Sequence, residues 1–166
     1  MMKKIRHALF SLLALTLLLT ACAGEPTPFT SEILSNLNCQ TGDLHKNQTY
    51  QEIEGKTPPE RIFVSSPPIA SSTIAYNDIS STHQSFSCSL FAFGDEDTAQ
   101  LAYQRACNEL LLPYHYPRIG EQVACQGGEG EVVLAYYKGT VLVWVWADYN
   151  GEGIVDVARR LEERLK

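Results

Sequence analysis

The sequence predicts an α+β domain: an antiparallel sheet with helices packed on one face, in two layers, stabilised by disulfides. Three observations carry this expectation. Glu131 to Tyr137 and Thr140 to Ala147 are two apolar runs of β-branched and aromatic residues separated by Lys138-Gly139, the pattern of a β-hairpin. Ala99, Ala102, Tyr103, Ala106 and Leu110, and later Ile154, Val157, Ala158, Leu161 and Leu165, recur at helical spacing. Cys39, Cys88, Cys107 and Cys125 form an even set once Cys22 is set apart.

In chain order, Thr30-Ser31-Glu32 can cap a short helix that runs to Leu37. Gln40 to Pro59 is polar, has no sustained period, and reads as loop with at most one short element. Arg61 to Ser65 and Thr73 to Tyr76 read as short strands around the Ser65-Ser66-Pro67-Pro68 turn. Phe86, Cys88 and Leu90 alternate with Ser87 and Ser89, a half-buried strand within Ser85 to Phe93. Asp95, Glu96 and Asp97 then open a helix, because carboxylates there accept free N–H groups and favour the positive end of the dipole. Pro113 and Pro117 end it, Arg118 to Gln126 reads as a strand, Gly127 to Gly130 as a turn, and Asn150 as the cap of the last helix.

Side-chain alternation divides the hairpin into two faces. Val132, Leu134, Tyr136, Val141, Val143 and Val145 share the face expected to take the helices. Val133, Ala135, Tyr137, Leu142, Trp144 and Trp146 share the other. On this second face Tyr137, Leu142, Trp144 and Trp146 are a candidate interaction surface, since aromatic residues with polar tips are frequent in interface hot spots. The competing reading is a second core layer covered by residues 40 to 76.

The start of the chain is a separate matter. Lys3, Lys4 and Arg6 precede a charge-free run from Ala8 to Ala21, the order of an export signal and too short to span a bilayer. Leu19-Thr20-Ala21-Cys22 resembles the lipobox of bacterial lipoproteins, which implies cleavage before Cys22 and diacylglycerol attachment to its thiol. Residues 1–21 are then a signal peptide, 22–29 a lipidated linker containing Pro26 and Pro28, and 30–166 a single domain. Ala23 stands where lipoproteins kept in an inner membrane typically carry Asp, which favours the outer membrane in a bacterium that has one. The alternative is an ordinary secretory signal cut near Ala21 or Ala23.

Loss of residues 1–21 removes three basic residues and no acid, leaving 10 basic against 19 acidic residues and a net charge of −9. That balance opposes binding to nucleic acid and electrostatic attraction to anionic lipid, so membrane contact is expected through Cys22 alone. Outside the cytosol the four remaining cysteines are expected as two bridges, Cys39 with Cys88 and Cys107 with Cys125 among three possible connectivities. Neither Cys-x-x-Cys nor a paired Cys/His spacing suggests a redox pair or a zinc site.

The order of strand, helix, strand, hairpin and C-terminal helix, with Cys39 near the start and Cys88 in the strand before the helix, resembles the Mog1/PsbP-like domains of bacterial surface lipoproteins. The resemblance implies a fold and supplies no catalytic residues. Direct search for chemistry finds no Gly-x-Ser-x-Gly and no recognisable partner for His45, His83 or His115. Asp95-Glu96-Asp97 lacks the ligand spacing of a calcium loop, and Gly127-Gly128-Glu129-Gly130 lacks the Lys-Ser/Thr ending of a phosphate loop. No cofactor or metal is expected. The functional expectation is a membrane-tethered, non-catalytic domain that binds an envelope protein or a small ligand. The alternative is an envelope enzyme or enzyme accessory whose site is assembled from distant residues; a solute-binding lipoprotein is disfavoured because 145 mature residues cannot easily form two lobes.

Overall fold

The computed structural model describes residues 28–44, 49–64, 66–79, 85–109, 117–120, 122–127, 131–148 and 153–165. Residues 1–27, Cys22 among them, His45, His83 and His115, Gly128 to Gly130 and Asn150 lie outside the described residues. Among the described residues three helices, α1 (Ser31–Leu37), α2 (Glu96–Glu109) and α3 (Ile154–Arg164), accompany eight strands. The strands are β1 (Tyr50–Ile53), β2 (Ala70–Asp78), β3 (Ser85–Ala92), β4 (Arg118–Ile119), β5 (Gln122–Val123), β6 (Cys125–Gly127), β7 (Val132–Lys138) and β8 (Val141–Ala147). Six of them form one antiparallel sheet in the order β1-β2-β3-β8-β7-β6, while β4 and β5 make a separate small hairpin.

The α+β class is therefore as the sequence predicts, and the local signals explain most elements. The Thr30 hydroxyl accepts from the Ile33 N–H and caps α1. An Asp95 carboxylate oxygen accepts from the Thr98 N–H at 2.7 Å and caps α2, which holds the Asp95 carboxyl below its usual range. Along β8, every residue from Val141 to Ala147 is buried, because the strand lies at the centre of the sheet with cover on both faces.

That double cover is the main departure from expectation. The first face of the sheet packs against α1 and α3, through Leu34, Ile154, Val157, Ala158 and Leu161 against Phe86, Cys88, Leu90, Leu134, Val143 and Val145. Helix α2 lies on the second face instead, with Ala99, Ala102 and Ala106 in one cluster with Phe91, Leu142, Trp144 and Trp146. Helices thus occupy both faces rather than one, and the molecule has three layers where the sequence suggested two. The physical reason is that the aromatic face is too apolar to leave in water, and the alanine stripe of α2 packs on it together with the ribbon that carries Ile62 and Phe63.

Three local readings also change. The strand expected over Arg61 to Ser65 is absent from its described residues: Glu60–Phe63 forms a 3₁₀ turn after Pro58-Pro59, with Ile62 buried and the Phe63 ring tilted against Phe91 at 4.8 Å between centroids. Arg118 to Gln126 breaks into β4, β5 and β6, because Gly120 takes φ 59° and turns the chain back on itself. In the main hairpin Lys138 pairs with Val141, so the two-residue loop is Gly139-Thr140, with Gly139 at φ 51°. The shift moves each strand by one residue and so preserves which side chains share a face.

The bridges are Cys39–Cys88 and Cys107–Cys125, with Cα–Cα distances of 6.0 and 5.7 Å. Each serves one face. Cys39–Cys88 ties the end of α1 to β3 beneath the first face, and Cys107–Cys125 ties the last turn of α2 to edge strand β6 on the second. Loop closure over 49 and 18 residues is worth ~4 and ~3 kcal/mol respectively in the chain-entropy account. Buried Asn38 reinforces the first: its amide donates to the Ser72 and Cys88 carbonyls, and its carbonyl accepts from the Cys39 N–H.

The ribbon between β1 and the 3₁₀ turn crosses the second face so closely that Gly55 has no space for a side chain. A Cβ there would lie 2.3 Å from Thr73 Cγ2 and 3.0 Å from Ser87 Oγ. Gly55→Ala is expected to destabilise the oxidised domain by ~1–3 kcal/mol, read as a lower urea midpoint at unchanged slope. A midpoint equal to that of the wild type would contradict the close crossing.

Candidate functional site

The candidate surface at Tyr137, Leu142, Trp144 and Trp146 is not open. Leu142 is fully buried, Trp144 and Trp146 are each 6% exposed, and Tyr137 is half-buried. The interaction-surface reading is thereby corrected to the second-core reading, with α2 over β7 and β8 and the 53–63 ribbon over the rest. The Tyr103 ring packs against Tyr137 at 5.5 Å, and its hydroxyl donates to the Val123 carbonyl at 2.7 Å.

Where the ribbon crosses, the chemistry changes from apolar to polar. Pairing places Ser87 beside Trp146 and Ser89 beside Trp144, with Thr73 and Ala75 next to them on β2. Ser87 and Ser89 are both fully buried, and each hydroxyl donates to the Lys56 carbonyl, at 3.1 and 3.4 Å. The Thr73 hydroxyl donates to Ser89 Oγ at 3.0 Å. Small hydroxyl residues leave room for a backbone at this point and satisfy its carbonyl, which a Val or Leu stripe could not do.

Lys56 continues outward from that crossing. Its Nζ sits 4.0 Å from the centroid of the Trp146 ring and pairs with Glu131 Oε1, while the Trp146 indole N–H donates to Glu131 Oε2 at 2.8 Å. Ammonium, indole and carboxylate therefore close a cycle at the mouth of the second core. About half of each charged side chain is exposed, 51% for Lys56 and 49% for Glu131. The arrangement can fix the ribbon over Trp146 and give the indole N–H its partner.

A second polar cluster lies on the opposite side. Lys138 Nζ donates to Glu162 Oε1 at 2.7 Å, and Glu162 is 8% exposed beneath the Gly120 turn. Tyr136, fully buried, donates its hydroxyl to the Ala158 carbonyl at 2.9 Å, and burial pushes its phenol far above the ordinary range. Arg164 pairs with Asp43 and donates to the Asn38 carbonyl. These contacts join α3 to the sheet and to the chain before β1. Among the described residues no grouping of three or more His, Cys, Asp or Glu could hold a metal, and no helix is long and apolar enough to cross a membrane.

The structure thus defines a class: a disulfide-tied α+β domain whose six-stranded antiparallel sheet is covered on both faces. No family model and no curated protein matches the sequence. Among solved structures, the extracellular domain of PknH from Mycobacterium tuberculosis is similar, with a TM-score of 0.59 and 12% identity over 84% of this chain and 97% of that one. At this identity the likeness shows the fold alone.

The Glu131 carboxyl is held below the usual range first by the Lys56 donor and then by the Trp146 indole, against a smaller opposing effect of burial. Its contribution is therefore complete above the unfolded-chain value of ~4.3 and lost as pH falls through the lower folded value. Because the pair is half exposed, Glu131→Gln is expected to lower stability at pH 7 by less than ~1 kcal/mol. The gap to wild type should narrow as pH falls below ~4.3, read from denaturant midpoints at pH 7 and at acid pH. A gap that stays constant with pH would exclude the ionised carboxylate as its source.

Proposed function

We propose that this chain is a bacterial cell-envelope lipoprotein, anchored through lipidated Cys22, whose exported domain is a non-catalytic binding or interaction module. The observation that carries the reading is the cysteine inventory. The four cysteines beyond Cys22 pair with one another, and Cys22 stands alone at the end of Leu19-Thr20-Ala21-Cys22. Two structural bridges suit an oxidising compartment, and a diacylglyceryl cysteine suits the remaining thiol.

Further support comes from three directions. The similar solved structure is described as an extracellular domain, and the shared fold is compatible with the same side of a membrane for this chain. The pairs Lys56–Glu131, Lys138–Glu162 and Arg164–Asp43 each join segments distant in the chain. With 19 acids in the chain and only 10 basic residues after residue 21, the domain body would be repelled by phosphate-rich surfaces, which assigns the membrane attachment to the anchor.

Expressed in a bacterial host with palmitate label, the wild-type chain should carry the label and start at Cys22 after processing. Cys22→Ser should lose the label and leave the membrane fraction while both bridges still form. Label retained by Cys22→Ser, or a mature product beginning at Met1, would overturn the proposal.

A further inference from the structure

The two bridges differ in their access to solvent, and the helix held by the accessible one is the helix that covers the indoles. Cys39 and Cys88 are 1% and 0% exposed, sealed inside the first core. Cys125 is likewise fully buried, but Cys107, in the last turn of α2, is only partly buried. Thiol–disulfide exchange requires a thiolate to reach one sulfur in line with the bond, so access ranks the two bridges.

Apart from the bridge, α2 is held by small side chains and by Tyr103, whose ring packs on Tyr137 and whose hydroxyl donates to the Val123 carbonyl. Helix α3 buries Ile154, Val157 and Leu161, whereas the fully packed positions of α2 are Ala99, Ala102 and Ala106. Alanine removes much less apolar area from water than a large aliphatic side chain, so α2 depends more on its covalent tie. Near the bridge, Glu109 also pairs with Arg61 of the 3₁₀ turn, which joins the end of α2 to the ribbon on the same face.

From this we infer that Cys107–Cys125 is a redox-releasable fastening for α2, and that its reduction uncovers the Trp144 and Trp146 face while the first core stays closed. The reductant is a dithiol. One of its thiolates attacks Cys107 Sγ and breaks the bond to Cys125, whose sulfur leaves as a thiolate and takes up a proton. The second thiol then attacks the mixed disulfide and releases Cys107 as a thiol; the dithiol is oxidised to its own disulfide and the protein gains two electrons and two protons. This inference does not depend on the lipid anchor, and its test leaves Cys22 aside.

Trp144 and Trp146 are the only two tryptophans in the chain, so their emission reports this face directly. The oxidised full-length chain is treated with dithiothreitol under native conditions, and free thiols are alkylated and mapped over time. The expected result is alkylation of Cys107 and Cys125 at least about tenfold faster than of Cys39 and Cys88. Tryptophan emission should shift to the red and become more quenchable by iodide, the far-UV strand signal should persist, and reoxidation should reverse the shift. The pair Cys107→Ser, Cys125→Ser should show the red-shifted state without reductant; if it fails to accumulate, the selectively alkylated wild type gives the same measurement. Reduction of both bridges at equal rates, unchanged emission after selective reduction, or loss of all secondary structure with it would overturn the inference.

Discussion

The structure depends on a single constraint: β8, the strand Val141–Ala147, lies at the centre of the sheet and must be dry on both sides. Its valines face α1 and α3, and its leucine and tryptophans face α2 and the ribbon before the 3₁₀ turn. Each face carries large apolar side chains that water would wet if its cover were lifted. The order of elements in the chain follows from this. The N-terminal helix and the C-terminal helix close one face, and the middle helix, entered directly from β3, closes the other.

The covers differ in kind. On the first face, large aliphatic side chains from α3 pack with valines and a buried tyrosine, and the sealed bridge at Cys39 lies within the same core. On the second face, alanines and a backbone ribbon lie over two indoles. Such a cover gains little from each contact and needs fixed points: the outer bridge, the serine hydroxyls under Lys56, and the ammonium–indole–carboxylate cycle at Glu131. Polar and covalent ties have there taken over part of what hydrocarbon does opposite.

Much of this was legible from residues. The period-two runs at 132–147 fixed both faces correctly, although the loop lies one residue further on, because side-chain parity survives such a shift. Asp95 announced α2 through its capping chemistry, and the pairing expected for the four cysteines is the one found. What could not be read was which face α2 would take. Its alanine stripe suits either, and the choice depends on its short connection from β3 and on the volume of the indoles. The Lys56–Glu131–Trp146 cycle was equally hidden, since its members lie 75 and 15 residues apart in separate elements and neither Lys56 nor Glu131 belongs to a motif. Ser87 and Ser89 looked like the solvent side of an amphipathic strand; they are buried because their hydroxyls take a backbone carbonyl instead of water.

The outer margin of the sheet has a consequence of its own. Strand β1 is four residues long, presents Gln51 and Glu52 to solvent, and among the described residues pairs with β2 alone. A longer, uncharged strand in that position would offer a template on which neighbouring copies could stack edge to edge. A brief margin that carries Glu52 is a poor template, and so works against one sheet recruiting the next.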